Sequence, residues 1–277
     1  MMDFAAWIGR TRTQSDLVTP RLLAEFRATF APHLAPVADG TAPPALHWCL
    51  APETAPAESL GPDGHAAKGG FLPPVPLPRR MWAGGQIETL SALREGDHVT
   101  RTETVRDVAF KDGRSGRLCF VTVEHAVATD RGVAIRERQD IVYREAAGAQ
   151  TGAAAAAERD DPGAYDTVWS VPATPTLLFR YSAMTFNGHR FHYDQPYAMQ
   201  VEGYADLVVH GPMQATLLMN LAATMLGQVP RLFRYRGLSP MTANQIFRVC
   251  GRRTGERFEG VTLDAARGVC MRAHAEV

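Results

Sequence analysis

Several features that identify other classes of protein are scarce in this sequence. Acidic and basic residues balance at 29 each, so the formal net charge is zero and no basic excess can neutralise a phosphate backbone. No stretch approaches the roughly 18 consecutive apolar residues that a membrane-spanning helix needs. We therefore expect neither nucleic acid nor a membrane as a partner.

Cysteine is also scarce, and its spacing excludes two further classes. The four cysteines form no CxxC pair and no metal-ligand rhythm, so they predict neither a disulfide framework nor a zinc site. The first residues lack the apolar core and the small-residue cleavage site of a secretory signal. These absences predict a cytoplasmic protein whose cysteines are reduced: Cys49, Cys119, Cys250 and Cys270.

The composition that remains is typical of a folded globule. Hydrophobic residues make up 45% and charged residues 21% of 277 residues, which suits one large domain or two ordinary ones. The alanine-rich, then charged segment Ala146–Gly163 has almost nothing to bury and reads as a linker. We predict an N-terminal domain at residues 1–147, a linker at 148–164 and a C-terminal domain at 165–277.

The two pieces begin alike, which indicates duplication. Thr19-Pro20 and Thr174-Pro175 each precede a Leu-Leu pair and an amphipathic turn. Threonine as an N-cap with proline at the first helical position is a sound helix start. The shared start across the linker favours two copies of one architecture.

Each piece continues with strand-like alternation of apolar and polar residues. Asp130-Arg131-Gly132 separates two of the clearest runs and predicts a hairpin. The predicted strands are Gln86–Leu93, His98–Lys111, Arg117–Thr129, Val133–Arg144, Leu232–Leu238, Ala243–Arg252, Glu259–Asp264 and Val269–Ala275.

Only the second piece offers a helix to fill such a sheet. Pro212–Leu226 is apolar nearly all round and must be buried. Antiparallel strands wrapped around one buried helix describe a hotdog unit, whereas Phe71–Trp82 in the first piece is too rich in proline to supply an equivalent. The predicted fold class is therefore α+β, a double hotdog with a degenerate N-terminal unit.

The densest polar cluster, Arg180–Asp194, follows the second Thr-Pro helix. Histidine, arginine, asparagine and aspartate side chains so close together are costly to bury unless they serve one another or a ligand. Downstream, His210-Gly211 leads into the buried helix. Backbone N–H groups at that helix start suit an oxyanion, such as a thioester carbonyl that gains charge.

These residues resemble the MaoC-like enoyl-thioester hydratases, whose pattern G-D-x-N-P-x-H is followed by H-G and the central hotdog helix. YSAMTFNGHRFHYD and EGYADLVVHGP look most like the two-hotdog branch, which includes type 2 hydroxyacyl-thioester dehydratases and mesaconyl-C4-CoA hydratases. PLPRRMWAGGQIE extends the resemblance, more diffusely, to the first half.

The resemblance places the catalytic histidine at His192. The acidic partner of the family pattern falls on Asn187, its asparagine on His189 and its proline on Arg190. Asn187 can orient a water molecule but cannot accept its proton. His192 is then the base, or the one group that both deprotonates water and returns the proton to Cα, unless Asp194 substitutes.

Other interpretations stay open for several of these residues. His189, His192 and Asp194 could hold a metal, although we expect none; Asp194 could instead brace the loop. His210 could accept a backbone hydrogen bond rather than contact substrate. Alternation puts Arg234 and Arg236 on one strand face, where a carboxylate or a solvated surface are both possible.

The sequence thus predicts a hydro-lyase that adds or removes water at the Cα=Cβ bond of an enoyl-CoA. A short branched dicarboxylyl-CoA (mesaconyl-C4-CoA or itaconyl-CoA) is favoured because Arg180, Arg190 and Arg236 could supply a cation. The alternatives are a 3-hydroxyacyl-ACP or -CoA dehydratase of fatty-acid metabolism, a hotdog thioesterase and an inactive binding module.

No cofactor is expected beyond the CoA of the substrate, and a homodimer is possible. The predicted catalytic residues are His192, Asn187 and Gly211. The predicted substrate-binding residues are Arg180, Tyr181, His189, Arg190, Asp194, His210 and Arg236.

Overall fold

A computed structural model describes residues 4–113, 116–145 and 158–277. These residues form one antiparallel sheet of ten strands in the order β1-β3-β4-β5-β2-β7-β10-β9-β8-β6. The N-terminal half comprises β1 Thr11–Leu17, α1 Pro20–Phe30, β2 Arg79–Thr89, β3 His98–Gly113, β4 Gly116–Thr129 and β5 Gly132–Arg144. The C-terminal half comprises β6 Thr167–Pro172, α2 Pro175–Met184, α3 Gln195–Gln200, α4 Gly211–Leu226, β7 Leu232–Gly237, β8 Ile246–Thr254, β9 Arg257–Leu263 and β10 Val269–Glu276.

The two halves join where β2 pairs with β7. Gly84 and Gly85 lie opposite Arg236 and Tyr235 in this pairing. A Cβ atom at Gly85 would lie 2.2 Å from the carbonyl oxygen of Arg138, so no larger residue fits this close approach. The joint makes the sheet continuous through both halves.

The two Thr-Pro sequences start helices as predicted. The Thr19 hydroxyl accepts a hydrogen bond from the backbone N–H of Leu22, and Thr174 does the same for Leu177. Both helices follow an edge strand, β1 or β6, which is the repeated unit that the sequence indicated.

The inner face of the C-terminal half is filled by α4, whose residues are buried on nearly every side. The few polar side chains of α4 are satisfied by hydrogen bonds. Asn220 donates to the carbonyl of Pro44 at 3.1 Å and accepts from the N–H of Ala35 at 3.1 Å. These bonds tie the central helix to a loop of the N-terminal half.

The N-terminal half has no counterpart of α4 among the described residues. Between α1 and β2 the chain forms two short 3-10 turns, Leu46–Cys49 and Ala57–Ser59, of which the first is fully buried. The predicted double hotdog with a degenerate N-terminal unit is therefore confirmed. None of the described helices has both the length and the apolar character needed to cross a bilayer.

Parts of the sequence prediction were wrong or incomplete. The strand expected at Gln86–Leu93 begins instead at Arg79, so Trp82 of the proline-rich segment lies in β2. Strands β1 and β6 were not predicted, because their short polar alternation gives a weak signal. Most of the expected linker lies at residues 146–157, outside the described residues, and the domain boundaries stay a prediction; Pro162–Ala164 forms a 3-10 turn.

Candidate active site

The loop after α2 turns sharply at Asn187. Phe186 adopts a positive φ of 49°, and the Asn187 side-chain oxygen accepts a hydrogen bond from the N–H of His189 at 2.9 Å. Arg190–His192 then forms a single 3-10 turn. This local fold, typical of asparagine followed by glycine, brings the side chain of His192 back toward the start of α4.

His192 is buried and held in one orientation. Its Nδ1 lies 2.6 Å from the carbonyl oxygen of Val208, so Nδ1 carries the proton and Nε2 is the basic nitrogen. Burial, and after it the neighbouring His210 and His189, hold the pKa of His192 well below its usual value. The imidazole is therefore neutral near pH 7 and can accept a proton at Nε2.

His210 lies behind His192 rather than on a cavity wall. Its ring stacks on that of His192 with centroids 3.5 Å apart, and its Nε2 lies 2.8 Å from the hydroxyl of Ser182. Complete burial lowers the pKa of His210 to about 3, so its ring is neutral too. The structure thus places His210 where it positions His192, not where it would touch substrate.

Gly211 begins α4 and faces the same space as His192. Its preceding residue makes no side-chain cap, and Pro212 has no N–H, so the N–H of Gly211 is one of few donors at this helix start. A Cβ atom at Gly211 would lie 2.9 Å from Cε3 of Trp82. A glycine is therefore required for the indole to approach the helix this closely.

Two cavities meet at this point of the fold. The smaller, about 510 Å³, is bounded by His192, His189, Gly211 and Gln214 among others. The larger, about 730 Å³, extends along the inner face of the N-terminal strands. The walls common to both are His65, Trp82, Ile141, Asn187 and Pro212.

The three arginines expected to meet a substrate carboxylate lie elsewhere. Arg180 is exposed and donates to the carbonyl of Ala28 at 3.4 Å. Arg190 forms an ion pair with Asp194 at 2.7 Å, and Arg236 is exposed on β7. None of the three lines either cavity. Arg234 and Arg236 share one face of β7, as predicted, but this is the exposed face; the buried Tyr235 lies on the other face.

The remaining predicted residues divide between the cavities and the loop. Tyr181 lines the larger cavity and His189 the smaller one, where its Nε2 lies 3.2 Å from Glu202. Asp194 caps α3 by accepting from the N–H of Tyr197 at 3.1 Å and lines neither cavity. Asp194 therefore stabilises the loop through these contacts and does not face a cavity.

The metal interpretation of the loop does not match the geometry. Asp194 faces Arg190 and His192 faces a backbone carbonyl, so the ligand set His189, His192 and Asp194 does not converge. Within the described part of the chain, Asp63, His65 and His189 are the group whose ligand atoms lie within 4.8 Å of one another. Asp63 already pairs with His65 at 3.1 Å.

Sequence reasoning missed several residues of this site. His65 lies in a proline- and glycine-rich stretch with no periodicity, and Glu202 follows a short helix that the pattern did not reveal. Trp82 was named only as the end of the proline-rich segment Phe71–Trp82. The resemblance of PLPRRMW to a family segment was the available signal for Trp82.

The arrangement suits addition of water to a polarised double bond. A neutral imidazole nitrogen and a free helix N-terminus border one cavity of about 510 Å³. The first can take a proton from water, and the second can stabilise the negative charge that develops on a thioester oxygen.

Comparison with known proteins agrees with this geometry. Residues 45–243 match the family model described as hydroxyacyl-thioester dehydratase type 2. The chain is 42% identical over 259 residues to mesaconyl-C(4)-CoA hydratase of Chloroflexus aurantiacus, covering 93% of this chain and 91% of that protein.

Solved structures show the same fold at low identity. A MaoC-like dehydratase superposes with a TM-score of 0.72 at 12% identity, covering 99% of both chains. A Mycobacterium tuberculosis protein described as a double hotdog fold gives a TM-score of 0.57 at 12% identity, covering 97% of this chain and 96% of that one.

Proposed function

This chain belongs to the hydroxyacyl-thioester dehydratase type 2 family, and we propose that it hydrates the Cα=Cβ bond of a short dicarboxylyl-CoA. Membership makes the chain a hydro-lyase, as the sequence predicted. The observation that carries the proposal is the pairing of the His192 imidazole with the N–H of Gly211 along one cavity.

In the proposed reaction the thioester oxygen accepts a hydrogen bond from the N–H of Gly211. His192 Nε2 removes a proton from a water molecule that the Asn187 amide orients, and the oxygen of that water bonds to Cβ. The π electrons move onto Cα and the carbonyl, where Gly211 stabilises the enolate. The imidazolium then returns its proton to Cα, so the net change is addition of one water.

His210 supports this cycle without contacting substrate, since it lines neither cavity. His210 stacks on His192 and is itself held by Ser182 at 2.8 Å. A fixed ring keeps Nε2 aligned with the reacting water. Such alignment matters because a displacement of about 1 Å can lower the rate on the order of 100-fold.

The acyl group proposed here follows the named relative, which acts on mesaconyl-C4-CoA. The alternative is a 3-hydroxyacyl thioester of fatty-acid metabolism, the class named in the family description. A thioesterase is disfavoured because the described walls of the smaller cavity carry no carboxylate. At the helix start stands Gln214, whose oxygen accepts from Thr262 at 2.6 Å.

The remaining proposals concern the cofactor, the compartment, the acyl carrier and the assembly. We propose that the reaction uses no cofactor beyond the CoA of the substrate and takes place in the cytoplasm, where the four free, buried cysteines stay reduced. Acyl carrier protein as an alternative carrier and a homodimeric assembly are further expectations.

The test is to incubate the purified protein with mesaconyl-C4-CoA and, separately, with crotonyl-CoA. Loss of enoyl absorbance with a product 18 mass units heavier and no free thiol is the expected result. Thiol release without loss of enoyl absorbance would assign a thioesterase instead. No change with either substrate would refute the proposed hydration.

A further inference from the structure

A row of ionisable side chains crosses the inner face of the N-terminal sheet. Strand register places Arg12 opposite Glu103 and Glu103 opposite His125. His125 in turn lies opposite Glu137 on β5. Glu103, His125 and Glu137 are buried, which is costly for such groups unless they are paired or bind something.

Glu137 is the member of the row with the most contacts to other protein groups. One of its oxygens accepts from the Trp48 indole and from Gln139, both at 2.8 Å. Its other oxygen lies 3.3 Å from His47. Glu137 does not line the larger cavity, whereas Glu103 and His125 do. The members of the row that face this cavity are therefore Arg12, Glu103 and His125.

His125 has one nitrogen with a partner and one without. Its Nδ1 lies 3.0 Å from Nη2 of Arg101, and a guanidinium can only donate. An oxygen of Glu103 also lies 3.1 Å from Nδ1, but two guanidinium N–H groups of Arg101, from Nε at 3.3 Å and from Nη2 at 3.0 Å, converge on this nitrogen. We therefore assign Nδ1 as an acceptor and place the ring proton on Nε2. Within the described residues Nε2 has no hydrogen-bond partner, although His125 is only 4% exposed.

Arg101 is the least compensated cation in this wall. Glu103 serves two guanidinium groups: it contacts Arg12 directly and lies 3.5 Å from Arg101. Glu53, at the exposed rim, pairs with Arg12 at 2.6 Å. Arg101 has otherwise the backbone carbonyl of Leu50 at 3.3 Å and the neutral ring of His125. An arginine whose side chain is only 12% exposed, beside an unused donor, suits a monoanionic carboxylate.

We propose that Arg101 and His125 form a subsite for the distal carboxylate of the acyl group. The inference rests on the proposed function, in which the thioester lies at Gly211 and the acyl group passes Trp82 into the larger cavity. A long alkyl tail there would leave a guanidinium and an N–H desolvated and unpaired. The wall thus selects a short dicarboxylyl group over a fatty chain.

The test measures binding of saturated thioesters, which cannot be hydrated. Calorimetry with succinyl-CoA and butyryl-CoA compares two four-carbon acyl groups that differ in the distal carboxylate. We expect the unmodified protein to bind succinyl-CoA about 10- to 100-fold more tightly, the range of one or two charged hydrogen bonds. Arg101→Met should remove this preference and leave butyryl-CoA affinity unchanged.

Arg106→Met is the matched control, because Arg106 lies on the same strand but pairs with Glu124 on the exposed face. It should keep the preference. Equal affinities in the unmodified protein, or a preference that survives Arg101→Met, would overturn the subsite. If Arg101→Met does not fold, the same two affinities are measured for His125→Leu, which should weaken the preference for succinyl-CoA. The preference of the unmodified protein remains a test in either case. Failure of the proposed function is a separate result, since it appears as absent hydration while the binding preference persists.

Discussion

The two halves of the sheet share a topology but differ in what covers their inner faces. In the C-terminal half, α4 packs its apolar surface against β8, β9 and β10 and forms a hydrophobic core. In the N-terminal half, the equivalent face carries Glu103, His125 and Arg101 and borders a cavity of about 730 Å³. The N-terminal half, as far as the structure describes it, has no central helix, and a space lined by charged groups stands where such a helix would pack.

This difference assigns a distinct task to each half. The filled half holds a rigid helix start, on which a glycine N–H and a stacked histidine pair can be positioned. The open half gives up stability to gain room for an acyl group.

The largest effect is expected from His192→Ala. Loss of the proposed base should lower kcat about 10³- to 10⁴-fold, the upper range for a general acid–base group. His274→Ala is the matched control because His274 is an exposed histidine on β10. Steady-state hydration assays measure both, and a loss under tenfold for His192→Ala would contradict its role.

The next effect concerns packing in the filled half. Leu218 of α4 is 0% exposed, so Leu218→Ala should lower the free energy of unfolding by about 2–5 kcal/mol. Ile141→Ala, at a half-buried position that lines both cavities, should cost about half as much because less packing is lost. Urea denaturation compares the two; equal losses would remove the contrast between the halves.

A smaller effect is expected where the halves touch. Gly211→Ala would place a methyl group 2.9 Å from Trp82 and displace the indole or the helix start. We expect kcat to fall about 10- to 100-fold through misplacement of the oxyanion donor. Gly163→Ala, which meets only ordinary contacts at 3.5 Å or more, is the control. Unchanged kcat in Gly211→Ala would exclude this N–H from the mechanism.

The smallest effect is the pH dependence of kcat/KM. The pKa of His192 is lowered by burial, so its base form persists as the pH falls through 6.5, where an ordinary histidine would be half protonated. We expect kcat/KM to change less than about twofold between pH 8 and pH 6. A limb with its midpoint near pH 6.5 would show that His192 is not the neutral, buried base.

Much of the fold was predictable because its signals are local. Thr19-Pro20 and Thr174-Pro175 specify helix starts by capping, and Pro212–Leu226 reveals a buried helix by being apolar all round. The hairpin at Asp130-Arg131-Gly132 joins β4 to β5 as expected. Edge strands β1 and β6 carry little apolar alternation and were missed.

The site was only partly predictable because it depends on long-range register. His192, Asn187 and Gly211 come together at a cavity, as the motif suggested. The charged wall was not foreseen, since Arg101, Glu103 and His125 look like ordinary members of alternating strands. Only the pairing of β3 with β4 and the absent helix, within the described residues, turn them into a cavity wall.

One measurement tests the division of labour most directly: a crystal structure of the protein with succinyl-CoA bound. The account predicts the thioester oxygen within hydrogen-bond distance of the Gly211 N–H, with the distal carboxylate beside Arg101 and the His125 Nε2. An acyl group confined to the smaller cavity, near Ser239 and Cys270, with Arg101 still contacting only protein, would contradict it.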